Sequence, residues 1–155
     1  MSGEERFVRA LARERRVRVR VVGICIRDDQ VLCSRSVDRP DGPLGLPGGG
    51  LEAGASLEGQ LRQEIREETT ANLLSASYLF VVENRFEAPG TELIHQVEHY
   101  FEMTLDTDEV LSREPHLSFE WVPLSALPTV DLRPQVVRDA ISADRLYRIR
   151  HLIQG

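Results

Sequence analysis

Pro47 is followed by three consecutive glycines, Gly48, Gly49 and Gly50, and within a few residues the chain enters a proline-free run of good helix formers. Glycine lets backbone groups approach a phosphate or a metal ion closely, which bulkier residues prevent. In the run over residues 56–69, Leu57, Leu61 and Ile65 recur every fourth residue and form one apolar stripe, as expected of a helix packed on a larger body. A loop of exposed backbone is therefore delivered to the start of a buried helix, which confines the fold to architectures that support both.

The acidic residues of that helix are placed unusually. At about 100° per residue, Glu64 and Glu68 lie one turn apart on one ridge, Glu67 sits roughly 60° to one side, and Gln60 continues the ridge toward the N-terminus. These carboxylates border the apolar stripe instead of lying opposite it. Like charges at i and i+4 cost a few tenths of a kcal/mol, and a divalent cation removes that cost. Magnesium takes oxygen ligands in octahedral geometry and is commonly held by one or two carboxylates plus substrate phosphates.

Around this centre the chain alternates strands and helices. Residues 4–16 read as a helix with Phe7, Val8 and Leu11 at helical spacing and Arg6, Arg9 and Arg13 on other faces. Val17, Val19 and Val21 alternate with Arg18 and Arg20, then an apolar run follows to Ile26, so a strand enters the core. Asp28 and Asp29 supply turn chemistry for a hairpin whose second strand, residues 31–34, delivers Arg35 at its exit. Residues 38–45 are a loop. Further strands are expected over 78–82, 97–105 and 118–122, with an irregular acidic connection over 106–115. Pro134 suits the start of a helix whose apolar face is Val136, Val137, Ala140 and Ile141, and a last helical segment is expected over residues 145–153.

Composition narrows the function classes. A chain of 155 residues with 41 % hydrophobic content has room for one globular domain. Cys25 and Cys33 form no disulfide framework and match no metal-ligand spacing, so two free, partly buried thiols are expected. No segment approaches the roughly 18 apolar residues of a membrane span, and the charged N-terminus lacks a secretory signal; a cytoplasmic protein is expected. Residues 1–20 carry seven Arg against three Glu, whereas the remainder holds twelve Arg against twenty-two acids. The body should repel polyanions, which argues against nucleic acid as the partner and leaves the basic arm over residues 1–16 as a helix packing on the body or on a second copy in a homodimer.

Residues 48–71 resemble the Nudix box, whose pattern is Gly, five residues, Glu, seven residues, then Arg-Glu-apolar-x-Glu-Glu-x-Gly-apolar. Aligned from Gly49, the chain matches at Gly49, Glu64, Ile65, Glu67, Glu68 and Ala71. It departs at Ala55 for Glu, Gln63 for Arg and Thr70 for Gly. Glu52 and Gly54 also look like family residues, as do the preceding hairpin, the Arg35 position and residues 119–124.

The resemblance implies an α/β (α+β) fold, the Nudix α/β/α sandwich with a mixed sheet between helices, over residues 17–155. It implies Mg2+, with Mn2+ as the alternative ion, held by Glu67, Glu68 and the Gly49 carbonyl, with Glu64 as ligand or general base. Arg35 would clamp phosphate, and Glu98, on a later strand, would add an acid at the cleft. The implied reaction is hydrolysis of a nucleoside diphosphate linked to another moiety. Three departures leave a second class open, a silent nucleotide-binding module, and the basic arm a third, a nucleic-acid or partner-binding protein. In some branches a Pro or Tyr beyond the box marks the substrate; residues 83–87 offer neither, and Pro89 is a near miss. His95 and His99 lack a convincing third ligand and read as surface or substrate-edge histidines. Of Tyr78, Phe80, Phe86, Tyr100 and Phe101, at most one is expected to stack on a base.

Overall fold

The computed structural model describes residues 3–87, 90 and 92–155; Pro89 lies outside them. Its elements are helix α1 (Gly3–Arg13), strands β1 (Arg18–Ile24), β2 (Ile26–Arg27), β3 (Gln30–Ser36), β4 (Leu44–Gly45) and β5 (Gly48–Gly50), helix α2 (Leu57–Glu68), strands β6 (Leu73–Glu87), β7 (Leu93–Leu105) and β8 (Leu117–Pro123), helix α3 (Gln135–Ser142) and strand β9 (His151–Gln154). A 3-10 segment, Leu124–Thr129, links β8 to the approach of α3.

The alternation that begins at Val17 sorts side chains to two faces. Val21 joins Leu61, Ile65, Phe101 and Met103 beneath α2, while its neighbour Val22 joins Phe80, Tyr100, Val137 and Ile141 beneath α3. The main sheet between them has strand order β5-β1-β7-β6-β9. β1 runs parallel to β7 and β6 parallel to β9, the other pairs being antiparallel. A mixed sheet with helices on both faces is the α/β/α sandwich expected from the sequence. In a second, smaller sheet β3 pairs with β2, β4 and β8.

Asp28 and Asp29 both adopt positive φ, 52° and 58°, the left-handed pair that a two-residue hairpin turn requires. Cys25 and Cys33 are free and buried. No helix among the described residues is long and apolar enough to cross a membrane.

Three expectations are corrected: the stretch over residues 38–45 ends in strand β4, the glycine run is the paired strand β5 with Gly49 buried, and the final helix is absent. Residues 145–153 are not a helix; turns lead to β9, whose Leu152 and Ile153 pair with Val82 and Glu83. The apolar spacing there fits helix and strand alike, and the open edge of β6, far away in sequence, decides between them.

Candidate active site

β5 lies antiparallel to β1 with Gly49 opposite Val21 and Gly50 opposite Arg20. A turn through Gly54, φ 87°, brings the chain to Ser56, whose Oγ accepts the Gly59 N–H at 3.0 Å and caps α2. The helix then lays its acidic ridge against the glycine strand. A Cβ on Gly49 would lie 2.3 Å from the Glu64 carboxyl carbon, so glycine at this position is the space that the carboxylate occupies.

Gln60 is fully buried beside it. Its amide oxygen accepts the Glu52 N–H at 3.0 Å, and its Nε2 donates to Glu64 Oε1 at 3.0 Å. This side chain ties the loop to the ridge and sets the orientation of Glu64. Gln63, where the family pattern has Arg, donates instead to Glu67 Oε1 at 2.8 Å.

Burial raises the Glu68 carboxyl to about 8, with the charges of Glu64 and then Glu4 adding to the effect. Glu64 is raised too, first by burial and then by Glu67, against the opposing hydrogen bond from Gln60. Both half-buried carboxylates on this ridge thus take up a proton more readily than free ones, and a cation would compete with it. Positive charge approaches from β1. Arg18 Nη2 donates to Glu4 Oε1 at 2.8 Å, and Arg20 Nη1 stands 3.6 Å from Glu98 Oε2. The Nε of each arginine is buried with no hydrogen-bond partner.

Glu64 and Glu68 line one cavity of about 430 Å³ with Gly49, Gly50, Glu52 and Arg18, and α1 adds Glu4 and Phe7 to its wall. Glu67 is exposed and outside that lining. Glu98 is 1 % exposed and lines a separate cavity of about 340 Å³ with Arg20, Asn84, Phe86 and Gln96. Its carboxylate accepts from the Tyr100 hydroxyl at 2.9 Å and from the Asn84 amide at 3.2 Å. Arg35 contributes to neither cavity among the described residues; its guanidinium donates to Glu120 Oε1 and to the carbonyls of Pro40 and Gly42 at 2.8–3.0 Å.

Among the described residues no three His, Cys, Asp or Glu side chains gather to hold a metal ion by themselves. The donor set nonetheless fits a hard divalent cation of the kind that takes two carboxylates and completes its shell with water and phosphate. The Glu64 and Glu68 carboxylates share one cavity beside the glycine strand, and burial together with their neighbouring carboxylates raises both. The residues that could hold such an ion are Glu64 and Glu68.

Of the residues that shape this site, Glu4, Arg18 and Arg20 were not singled out by the sequence reading. A signal for the arginines was present: two charges on one face of a strand about to enter the core need a partner there. Nothing in the sequence links Glu4 to the box.

An α/β/α sandwich that sets a glycine strand against a carboxylate ridge defines a metal-assisted hydrolase architecture. The NUDIX domain model matches residues 15–143, and the chain belongs to that family as a Nudix hydrolase. Similar solved structures include a MutT protein of Bacillus halodurans, with TM-score 0.68 and 22 % identity over 83 % of this chain and 85 % of that one. A MutT NUDIX hydrolase of Burkholderia pseudomallei has TM-score 0.60 and 28 % identity over 71 % of this chain and 85 % of its own. The NUDIX domain of Shewanella oneidensis NrtR, solved with ADP ribose, has TM-score 0.61 and 19 % identity over 83 % and 85 %. No curated protein matches the chain.

Proposed function

We propose that the protein hydrolyses a phosphoanhydride in a nucleoside diphosphate linked to another moiety, with Mg2+ (or Mn2+) held by Glu64 and Glu68. The observation that carries this reading is the Glu64 carboxylate set against Gly49 with Glu68 in the same cavity. A bound divalent ion offsets charge on the phosphoryl oxygens and lowers the pKa of the attacking water. Gln60 orients Glu64, which accepts the water proton or serves as ligand. The water oxygen bonds to phosphorus as the anhydride P–O bond breaks, and the bridging oxygen leaves on the other phosphate. Glu67 and the Gly49 carbonyl are assigned to the ion's shell by the family pattern. Glu67 would have to leave Gln63 to join it, and Arg35 would have to leave Glu120 to reach a phosphate.

The cavity floored by Glu98, Asn84 and Gln96, with Phe86 at its wall, supplies hydrogen-bonding groups and one aromatic face, which suits the nucleoside part. The complex of the NrtR domain with ADP ribose makes nucleoside diphosphate sugars the first substrates to try. Release of nucleoside monophosphate from a panel of nucleoside diphosphate derivatives tests the reading, with Mg2+ present or chelated and with Glu68→Gln as control. Turnover that needs the ion and falls at least a hundred-fold in the variant is the expected result; the expected scale follows from removing a group that acts in the transition state. Saturable binding without turnover at any metal concentration would instead establish the silent module.

A further inference from the structure

The N-terminal helix is joined to the site by one conspicuous contact. Glu4, in the first turn of α1, holds Arg18 at 2.8 Å, and the Arg18 side chain is only 12 % exposed. The Arg18 guanidinium lies along the glycine strand, since a Cβ on Gly50 would stand 3.1 Å from its Nε and Nη2. Its remaining contact is a long one, 3.4 Å from Nη1 to Gln96 Oε1, and its Nε is buried without a partner. A guanidinium beside a carboxylate ridge, with a donor unspent, offers the planar fork that a phosphate oxygen pair accepts. In this structure a carboxylate of the chain itself fills that role.

α1 lies on the surface of the body, and none of its residues is fully buried. Val8, Leu11 and Ala12 line a small pocket with Ile94, and Arg9 and Arg13 form ion pairs of 3.9 and 3.7 Å with the Glu92 carboxylate. Yet Gly3, Glu4 and Phe7 wall the cavity that contains Glu64 and Glu68, and the adjoining cavity of about 620 Å³ is bounded by α1 on one side and by Arg18, Arg20 and Glu68 on another. The contact also places a third carboxylate beside two that already repel each other, and the Glu4 charge adds to the upward push on Glu68.

Resting on the diphosphate-hydrolase reading above, we propose that Arg18 receives a substrate phosphate and that Glu4 is its built-in competitor, which makes α1 a releasable cover over the site. A diphosphate entering the cavity displaces the Glu4 carboxylate from Arg18, and the helix lifts away. Only the fraction of molecules with Arg18 uncovered is competent to bind, so the apparent affinity is reduced by that fraction.

The probe is methylenediphosphonate, whose P–C–P bridge is not hydrolysed, titrated calorimetrically in Mg2+ into the full chain. Glu4→Gln should tighten binding about five- to ten-fold by removing the competitor. Leu11→Asp, which loosens the helix but keeps Glu4, should tighten it in the same direction. Arg18→Gln should weaken binding at least ten-fold, and adding Glu4→Gln in that background should give no gain. Amide exchange in residues 3–13 should accelerate on binding. The proposal is overturned if Glu4→Gln leaves binding unchanged or weakens it, if its gain survives without Arg18, if α1 exchange does not respond, or if no variant binds the probe. Because binding is read without turnover, absence of hydrolysis on the substrate panel would sink the functional reading and leave this inference standing.

Discussion

Two adjacent glycines of β5 are required for different reasons, which separates stability from chemistry. A Cβ on Gly48 would meet the Val21 carbonyl oxygen at 2.2 Å; both are backbone, so Gly48→Ala must part β5 from β1 and should cost about 1–3 kcal/mol. A Cβ on Gly49 meets only the movable end of Glu64. Gly49→Ala should therefore hold its urea midpoint near that of the unchanged protein, while hydrolysis falls about a hundred-fold because Glu64 is pushed aside by about an ångström. Comparable loss of stability in the two variants would refute this division. Glu68 gives a second prediction at the same scale. Its carboxyl is raised from an ordinary 4.5 to about 8, by burial first and by Glu64 and Glu4 after it. The folded state thus holds a proton that the unfolded chain releases earlier. The stability from that proton is complete below pH ~4.5 and lost as pH rises through about 8. In chelator, the melting temperature should fall across that window, and Glu68→Gln, which cannot ionise, should flatten the slope. At this scale the sequence shows which carboxylates share a ridge, because helical geometry is local. It hides Arg18 and Glu4, because a strand partner and a docked helix are set by folding across distant positions.

The three departures from the family pattern resolve differently once α2 is placed. Gln63 leaves Glu64 to Gln60 and donates to Glu67, so the missing Arg is answered by two neutral amides. At Thr70 the family pattern has Gly, which favours ending a helix at positive φ; this chain ends it in extended backbone, with Thr69 as C-cap at φ −132°. The Thr69 hydroxyl donates to the Ile65 carbonyl at 2.7 Å and accepts the Ala71 N–H at 3.0 Å, while Thr70 exchanges hydrogen bonds with Leu111. A β-branched residue therefore sits there without strain. Among the described residues nothing replaces the acid absent at Ala55: Glu52 lines the cavity, but its hydrogen bond to the ridge runs through its backbone N–H. The final strand β9 ties the end of the chain to both β6 and α3. Gln154 Oε1 on β9 accepts the Val136 N–H at 3.1 Å, satisfying a donor in the first turn of α3 that the helix cannot. Truncation after Arg150 should accelerate amide exchange in residues 81–84 and at the start of α3, and lower stability by about 1–3 kcal/mol. Unchanged exchange at Val136 would show that the Gln154 contact contributes nothing.

The molecule has two cores divided by one sheet, and the carboxylate ridge is anchored to only one of them. Leu61 is wholly buried beneath α2, between Gln60 and the turn that carries Glu64 and Glu68. Leu127 is as fully buried in the opposite core beneath α3. Replacing either by Ala removes the same atoms from a close-packed interior and should cost about 2–5 kcal/mol. The functional consequences should differ, because interiors relax locally around a cavity and the sheet separates the two sites. In Leu61→Ala the helix can settle toward the void and carry its carboxylates away from Gly49, whereas in Leu127→Ala the ridge keeps its footing. Calorimetric titration of Mn2+, under conditions where both variants remain folded, should show affinity at least ten-fold weaker for Leu61→Ala and close to that of the unchanged chain for Leu127→Ala. Equal weakening in the two would mean that the ridge depends on overall stability and not on the packing beneath α2. That distinction also bounds what the sequence could reveal: the stripe of Leu57, Leu61 and Ile65 announces a buried helix face, but only the strand order determines which core lies under it and which cavity its ridge overlooks.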